Sequence, residues 1–507
     1  MATERKKVLI MGRHPLLESV AQQYAALGCE VAVWLAGEAM PAAEELYGCG
    51  EFFVTADDPT GLQPEAADYA AMALLAKLVG RMADRPGDGR PTCHLLLRSQ
   101  HVLRMVQSCD FCEAVRQRLD VYPFTMAEVW SRTIRLDYQP ITAQSAQRAH
   151  LVVFGMNEVA EAVVIQAALA AHYPNYVTNH KLRTRITMIA DDAIRRHEEL
   201  TNRYPHLFDN SFYRMIGPAQ DGTGGTCQRS FHRPRYDGER EDFVDVEWEF
   251  VEAAPWDADL RAKLQRWATD EGRLLTVVMA HEDGNRNQSE ALLLPDELFR
   301  NGVPVHVWGQ EDCGYDVTLP LVRMAKNVNY VYDRCYAENF ADDEGLHPSP
   351  LTPHPSPLLV PAEIDCEARE RSWARLSGVK RLSNIYNAMT IANKMRSAGL
   401  EENEWDLFYD IPQQDIELLA QVEHNRWSVE ELILGFRPCT DQEQQQVEAD
   451  ISQKSVLKKR MVHYDLRAYN DLRADDTGKS VKVYDRCICA ALPLIAKAFA
   501  EEKGGGA

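Results

Sequence analysis

The chain has 507 residues, 45% hydrophobic and 26% charged, with a formal net charge of -21 from 55 Lys and Arg against 76 Asp and Glu. The length predicts about three domains, the composition is that of a globular protein, and the charge balance excludes a broadly basic nucleic-acid-binding face, though not a local basic pocket. No apolar stretch reaches the roughly 18 residues of a membrane span, and Val8-Leu9-Ile10-Met11 is too short for a secretory signal. A cytoplasmic chain is expected, with its 12 scattered cysteines reduced.

Residues 6–12 predict an apolar strand ending in glycine, Leu16 to Leu27 an amphipathic helix stopped by Gly28, and Glu30 to Leu35 a second strand. Strand, helix and strand within 30 residues imply a parallel βαβ unit. His94–Arg98 and Asp120–Phe124 read as further strands. Cys109-Asp110-Phe111-Cys112 is a lone CxxC, half a tetrahedral site, and is read as structural thiols with no metal.

The pattern restarts at His150–Gly155, followed by a helix over Val159–Ala171 and strands at Arg185–Ala190, Leu274–Ala280 and Val303–Trp308. Residues 218–242, rich in Gly, Arg and Asp, read as a surface insertion, and the six prolines within 345–361 as a semi-extended linker. The expected architecture is α/β. It comprises two tandem Rossmann-like parallel-sheet domains (1–142 and 143–344), a linker (345–362), and a mainly α-helical unit (363–503). The two α/β domains form a fold-level repeat, and Gly504–Ala507 is read as a disordered tail.

A dinucleotide loop needs a glycine for its turn, a second for pyrophosphate approach and a small third residue for helix packing. The second domain offers Gly155, Asn157 and Ala160. Asn157 replaces the middle glycine, whose absence crowds a phosphate. Asp191, 36 positions after Gly155 (191 − 155), ends the second strand where an acid takes ribose hydroxyls; the usual spacing is about 20. The first domain offers only Gly12, with Arg13 beside it near a helix N-terminus. Either loop binds a nucleotide such as NAD, or is a scaffold without ligand. Two glycine-ended βαβ units with no appended catalytic domain resemble the RCK (TrkA-N type) domains that regulate potassium transport. The resemblance implies NAD, nucleotide or cyclic-dinucleotide binding, dimer or larger homo-oligomer formation, and a membrane-protein partner without membrane insertion.

In the last third, Leu418, Leu419, Val422, Trp427, Val429, Leu432 and Ile433 predict an amphipathic helix ended by Gly435. Glu423, Arg426 and Glu430 stand three and four apart, where ion pairs form along a helix. Leu419-Ala420, Glu423-His424-Asn425-Arg426-Trp427 and Gly435-Phe436-Arg437 resemble the RyR (ryanodine-receptor repeat) domain, with Phe436 in place of the common tryptophan. Lys458–Leu472, with His463, Leu466, Tyr469 and Leu472, resembles its second half. Lys479, Tyr484-Asp485-Arg486 and Leu492-Pro493 resemble its closing helix, and the usual His-Pro is missing. The helical lead-in Trp373–Leu400 also resembles bacterial chains of this type. Glu423, His424, Arg426, Trp427, Arg437, Tyr469 and Arg486 then either surround an anionic, base-bearing ligand by charge and stacking or knit the helices together.

Neither a phosphate loop nor a nucleophile elbow nor a paired zinc motif stands in the sequence. His281-Glu282-Asp283, at a strand end, supplies a general base or caps a loop. The expectation is a cytosolic sensor of a nucleotide-type ligand without catalysis of its own. An NAD(P)-dependent oxidoreductase and an effector of a nucleotide-signalled defence pathway stand as alternatives.

Overall fold

The computed structural model describes residues 5–57, 63–87, 89–108, 111, 113–218, 226–234, 242–309, 314–340, 360–401, 411, 413–472 and 481–504. The CxxC cysteines, most of the proline-rich segment and residues 505–507 of the tail lie outside them; Gly504, read as part of that tail, instead ends the last helix.

The first sheet contains β1 (Lys7–Arg13), β2 (Glu30–Trp34), β3 (Cys49–Asp57), β4 (Thr92–Leu97) and β5 (Asp120–Thr125), all parallel in the order β2-β1-β3-β4-β5. Its central strands bury Val8 to Met11, Phe52 to Val54 and Leu95 to Leu97, as a parallel sheet covered on both faces must. The order changes direction between β1 and β3, the place where doubly wound sheets open a crevice.

The second sheet contains β6 (Arg148–Phe154), β7 (Thr184–Ala190), β8 (Phe212–Pro218), β9 (Thr226–His232), β10 (Val246–Glu252), β11 (Arg273–Met279) and β12 (Val305–Val307). The order is β12-β11-β6-β7-β10-β8-β9, parallel throughout except for the antiparallel β8–β9 pair. Its direction changes between β6 and β11. The two α/β units therefore differ in strand order and are not topological repeats. The span read as a surface insertion instead contributes β9, which extends the sheet as an edge hairpin with β8; residues 219–225 and 235–241 lie outside the described set.

The helix Glu158–Ala170 buries eleven residues, Val159 through Leu169. It is apolar nearly all round because it packs against its own sheet, the first unit and the helical unit at once.

The helical unit gathers Pro320–Phe340, Cys366–Arg375, Gly378–Met389, Ile391–Ser397, Gln413–Ile433, Lys482–Ala490 and Leu492–Gly504 around a core including Val328, Trp373, Ile391, Leu419, Ile488 and Ile495. Pro320–Phe340, within the span assigned to the second α/β domain, packs in this helical core. The preceding strap returns to the first unit: Tyr315 stacks on Phe124 at 3.9 Å and its hydroxyl lies 2.7 Å from His94 Nδ1. No helix among the described residues is long and apolar enough to cross a membrane.

Candidate functional site

Gly155 follows β6 with φ +117°, and a Cβ there would lie 2.9 Å from the Ala280 carbonyl oxygen after β11. Close approach of two backbones at the change of strand direction accounts for this glycine. Asn157 accepts from the N–H groups of Val159 (2.9 Å) and Ala160 (3.1 Å), so it caps the following helix; Ala160 is fully buried beneath it. Glu158 turns away to the first unit, accepting from Ser99 Oγ at 2.9 Å and the Gln100 N–H at 2.6 Å.

The crevice beside this loop measures about 170 Å³. Glu158, Glu161, Glu199 and Glu282 line it against Arg196 and Arg203. Arg203 is committed to Glu161, and Arg196 to Asp192 and the Met156 carbonyl. Asp191 is exposed, with Arg286 3.9 Å away. A dinucleotide pyrophosphate does not fit these residues: the crevice is small, its carboxylates outnumber its cations, and Asn157 occupies two of the helix's first N–H groups. In the first unit, Gly12 has φ +107° and lies against Thr55, while Arg13 is exposed beside Asp57 of β3.

His281 Nε2 pairs with Glu290 at 2.7 Å, and Glu290 also holds Arg286. Burial lowers the imidazole's affinity for protons despite that carboxylate. Asp283 accepts from the Asn285 N–H at 2.9 Å and caps the helix Gly284–Ala291, the bland alternative for this acid.

The Glu423–Trp427 motif lies on the helix Gln413–Ile433, which Gly435 terminates at φ +95°. Glu423 is fully buried. It accepts from Arg426 Nε at 2.9 and 3.0 Å, from Asn387 Nδ2 at 2.7 Å and from Lys394. Arg426 also reaches Glu430 at 2.5 Å. Burial alone would raise the Glu423 carboxyl, but Arg426 and Lys394 outweigh it and hold it at about 2. His424 donates from Nε2 to the Arg467 carbonyl at 2.8 Å, with Asp485 3.5 Å from its other nitrogen.

The remaining predicted residues are also engaged. Trp427 meets His463 edge-on at 4.8 Å, and Lys482 lies 4.4 Å over the Tyr469 ring. Arg437 pairs with Glu443 at 2.7 Å and Arg486 with Glu417 at 2.7 Å. Glu423, Arg426 and Lys394 join the helices from within.

Burial, then repulsion by Glu430, pushes the Glu431 carboxyl up to about 7. A raised acid contributes stability below its unfolded value of 4.5 and loses it as pH rises through 7. Between pH 5 and 8 the wild type is therefore expected to lose on the order of 2–3 kcal/mol relative to Glu431→Gln, at about 1.4 kcal/mol per pH unit. Urea unfolding of both proteins at the two pH values measures this, and parallel pH profiles would refute it.

A second cavity, about 760 Å³, opens where all three units meet. The first unit supplies Tyr122, Phe124 and the 129–137 segment. The buried helix Glu158–Ala170 supplies Val163, Gln166 and Ala167, and the helical unit supplies Leu382, Ile385, Ala388 and Met389. Its volume lies in the range of small-molecule sites. Six arginines (Arg90, Arg116, Arg132, Arg135, Arg375, Arg381) and four carboxylates (Glu113, Asp120, Asp137, Asp316) line it, an excess of two positive charges in a chain of net charge -21. No residue singled out from the sequence as a ligand contact lines this cavity. Its walls come from three units and no local pattern announces them.

No protein-family profile and no curated protein matches the chain. Among solved structures, a crystal structure of NtrX from Brucella abortus is similar at 11% identity over 90% of this chain and 99% of that one, with a TM-score of 0.15. A superposition that loose assigns neither fold nor function.

Proposed function

We propose that the chain is a regulatory sensor of an anionic small molecule, without catalysis of its own, whose ligand occupies the 760 Å³ cavity at the junction of the three units. The position of that cavity carries the proposal. A ligand touching all three units favours one arrangement of them, which is the differential interaction a sensor requires. The cavity is also too large for a packing defect in an interior of ordinary density. Its positive excess suits an anion, and the resemblance to RCK and RyR domains makes nucleotide-type ligands one class to test. The same resemblance supports a cytoplasmic homo-oligomer that passes the signal to a partner protein.

Mass spectrometry of small molecules released from the purified protein, followed by calorimetric titration of NAD, ATP, ADP-ribose and cyclic dinucleotides, tests ligand binding. Ala392, on the cavity wall and half-buried, provides the blocking site. Ala392→Trp is expected to abolish binding and the ligand-induced gain in stability, about 2.7 kcal/mol at a hundred times Kd. Ligand affinity unchanged in Ala392→Trp would remove the cavity from the proposal.

A further inference from the structure

The cavity's charges are not spread evenly over its wall. Its deep surface is made by Leu136, Leu151, Val163, Leu382, Ile385 and Ala388, of which all but the half-buried Ile385 are buried. Polar side chains on that wall are mostly engaged with one another or with the backbone. Gln166 Nε2 contacts Met389 Sδ at 3.4 Å, Asn393 donates to the Ala170 carbonyl at 3.1 Å, and the Tyr122 hydroxyl accepts from Trp373 Nε1 at 3.2 Å. Asp137 is taken by Arg396 and Arg132 by Glu128. A purine or a phosphate chain placed there would lose hydration without matching donors and acceptors, and that loss costs more than apolar contact returns.

The wall near Arg90 is different. Arg90 donates to the Ala374 carbonyl at 3.1 Å, which places it beside exposed Arg375. Arg90 and Arg381 share Asp120, each at 3.1 Å, and Arg116 pairs with Glu113 at 2.7 Å. Four arginines thus meet two carboxylates at this rim, and Arg375 makes no ion pair among the described residues. An apolar interior with a cationic, solvent-reached rim is complementary to an amphipathic anion.

We infer that the ligand of this cavity is a long-chain carboxylate or a similar acyl anion, its chain against the apolar wall and its charged head at Arg375. This rests on the reading of the cavity as the ligand seat and narrows that reading to a chemical class. Burial of the chain supplies affinity through apolar area removed from water, and the arginine rim selects the anionic head.

Calorimetric titration of the full-length protein with dodecanoate, with dodecanol as the uncharged counterpart and with ATP and NAD, tests the inference. Dodecanoate is expected to bind at least about tenfold more tightly than dodecanol, the worth of one charge-assisted contact. Arg375→Glu is expected to remove that difference and Arg375→Lys to keep most of it; Arg375 is exposed, so neither change disturbs the core. Ala392→Trp is expected to abolish dodecanoate binding, with thermal melts showing that each variant remains folded. Binding of ATP or NAD that Ala392→Trp blocks, without dodecanoate binding, would overturn the acyl class and leave the seat standing. Dodecanoate binding indifferent to both Arg375→Glu and Ala392→Trp would overturn the inference. Failure of every ligand would overturn the seat as well.

Discussion

Glu423→Ala is expected to destabilise the helical unit by on the order of 3–5 kcal/mol, the cost of leaving a buried ion network with a missing partner. Arg426 and Lys394 are each about 2% exposed or less, and Glu423 is the carboxylate they share. Without it, Arg426 keeps only Glu430, and Lys394 loses the carboxylate it pairs with. Both cations are buried, so neither is hydrated while the helices stay packed. Glu199→Ala is the matched control, since it and the Arg195 side chain it pairs with are 57% and 61% exposed; its loss is expected to stay within about 1 kcal/mol. The pH dependence has a definite sign. Glu423 is held at about 2 against an ordinary 4.5. Its contribution is therefore fully present above pH 4.5 and is lost as pH falls toward 2. Urea unfolding measures both effects. Equal losses in the two alanine variants would show that the motif does not hold the helices together.

Glu423, Arg426 and Glu430 could be read from the sequence as a network because helical spacing alone brings them together. Lys394 and Asn387 could not, since they arrive from helices 29 and 36 positions away in the chain (423 − 394, 423 − 387). The same distinction runs through the sheets. Strands β1, β4, β6 and β11 are apolar runs that report their own burial. Strand β10 alternates Glu247-Trp248-Glu249-Phe250, and its acids are tolerated because Arg185 of adjacent β7 and Arg148 of β6 beyond it meet Glu247 at 2.5 and 2.9 Å, while Arg214 of β8 stands 3.6 Å from Glu249. That compensation is set by strand order, which the sequence does not display. Strand β3 holds only a short apolar run, Phe52 to Val54, and is central solely because the chain crosses to the far side of β1. The cavity is least legible of all, since Tyr122, Val163 and Leu382 share a wall only after three units have docked. The motifs that resembled known binding modules mark helix joints and caps, while the volume suited to a ligand has no motif.

Gly12→Ala is expected to cost about 3 kcal/mol or more. A side chain at φ +107° leaves the regions open to L-residues, at on the order of 1–3 kcal/mol. The added Cβ would stand only 2.3 Å from the Thr55 carbonyl oxygen, so β1 and β3 must also move apart. Crowding in a packed core adds about 1–3 kcal/mol. Thr55 belongs to a central strand covered on both faces, so this movement would disturb Phe52 to Val54 as well. Gly28 separates the two contributions. It has φ +77° with nothing within 4 Å of where a methyl group would stand, and Gly28→Ala should incur only the conformational cost, about 1–2 kcal/mol. Thermal denaturation of the two variants side by side measures the difference. Equal losses would mean that backbone approach at the change of strand direction contributes nothing. A markedly larger loss at Gly12 would assign this glycine to the joining of β1 and β3, so that its place at the end of the first strand requires no phosphate to explain it.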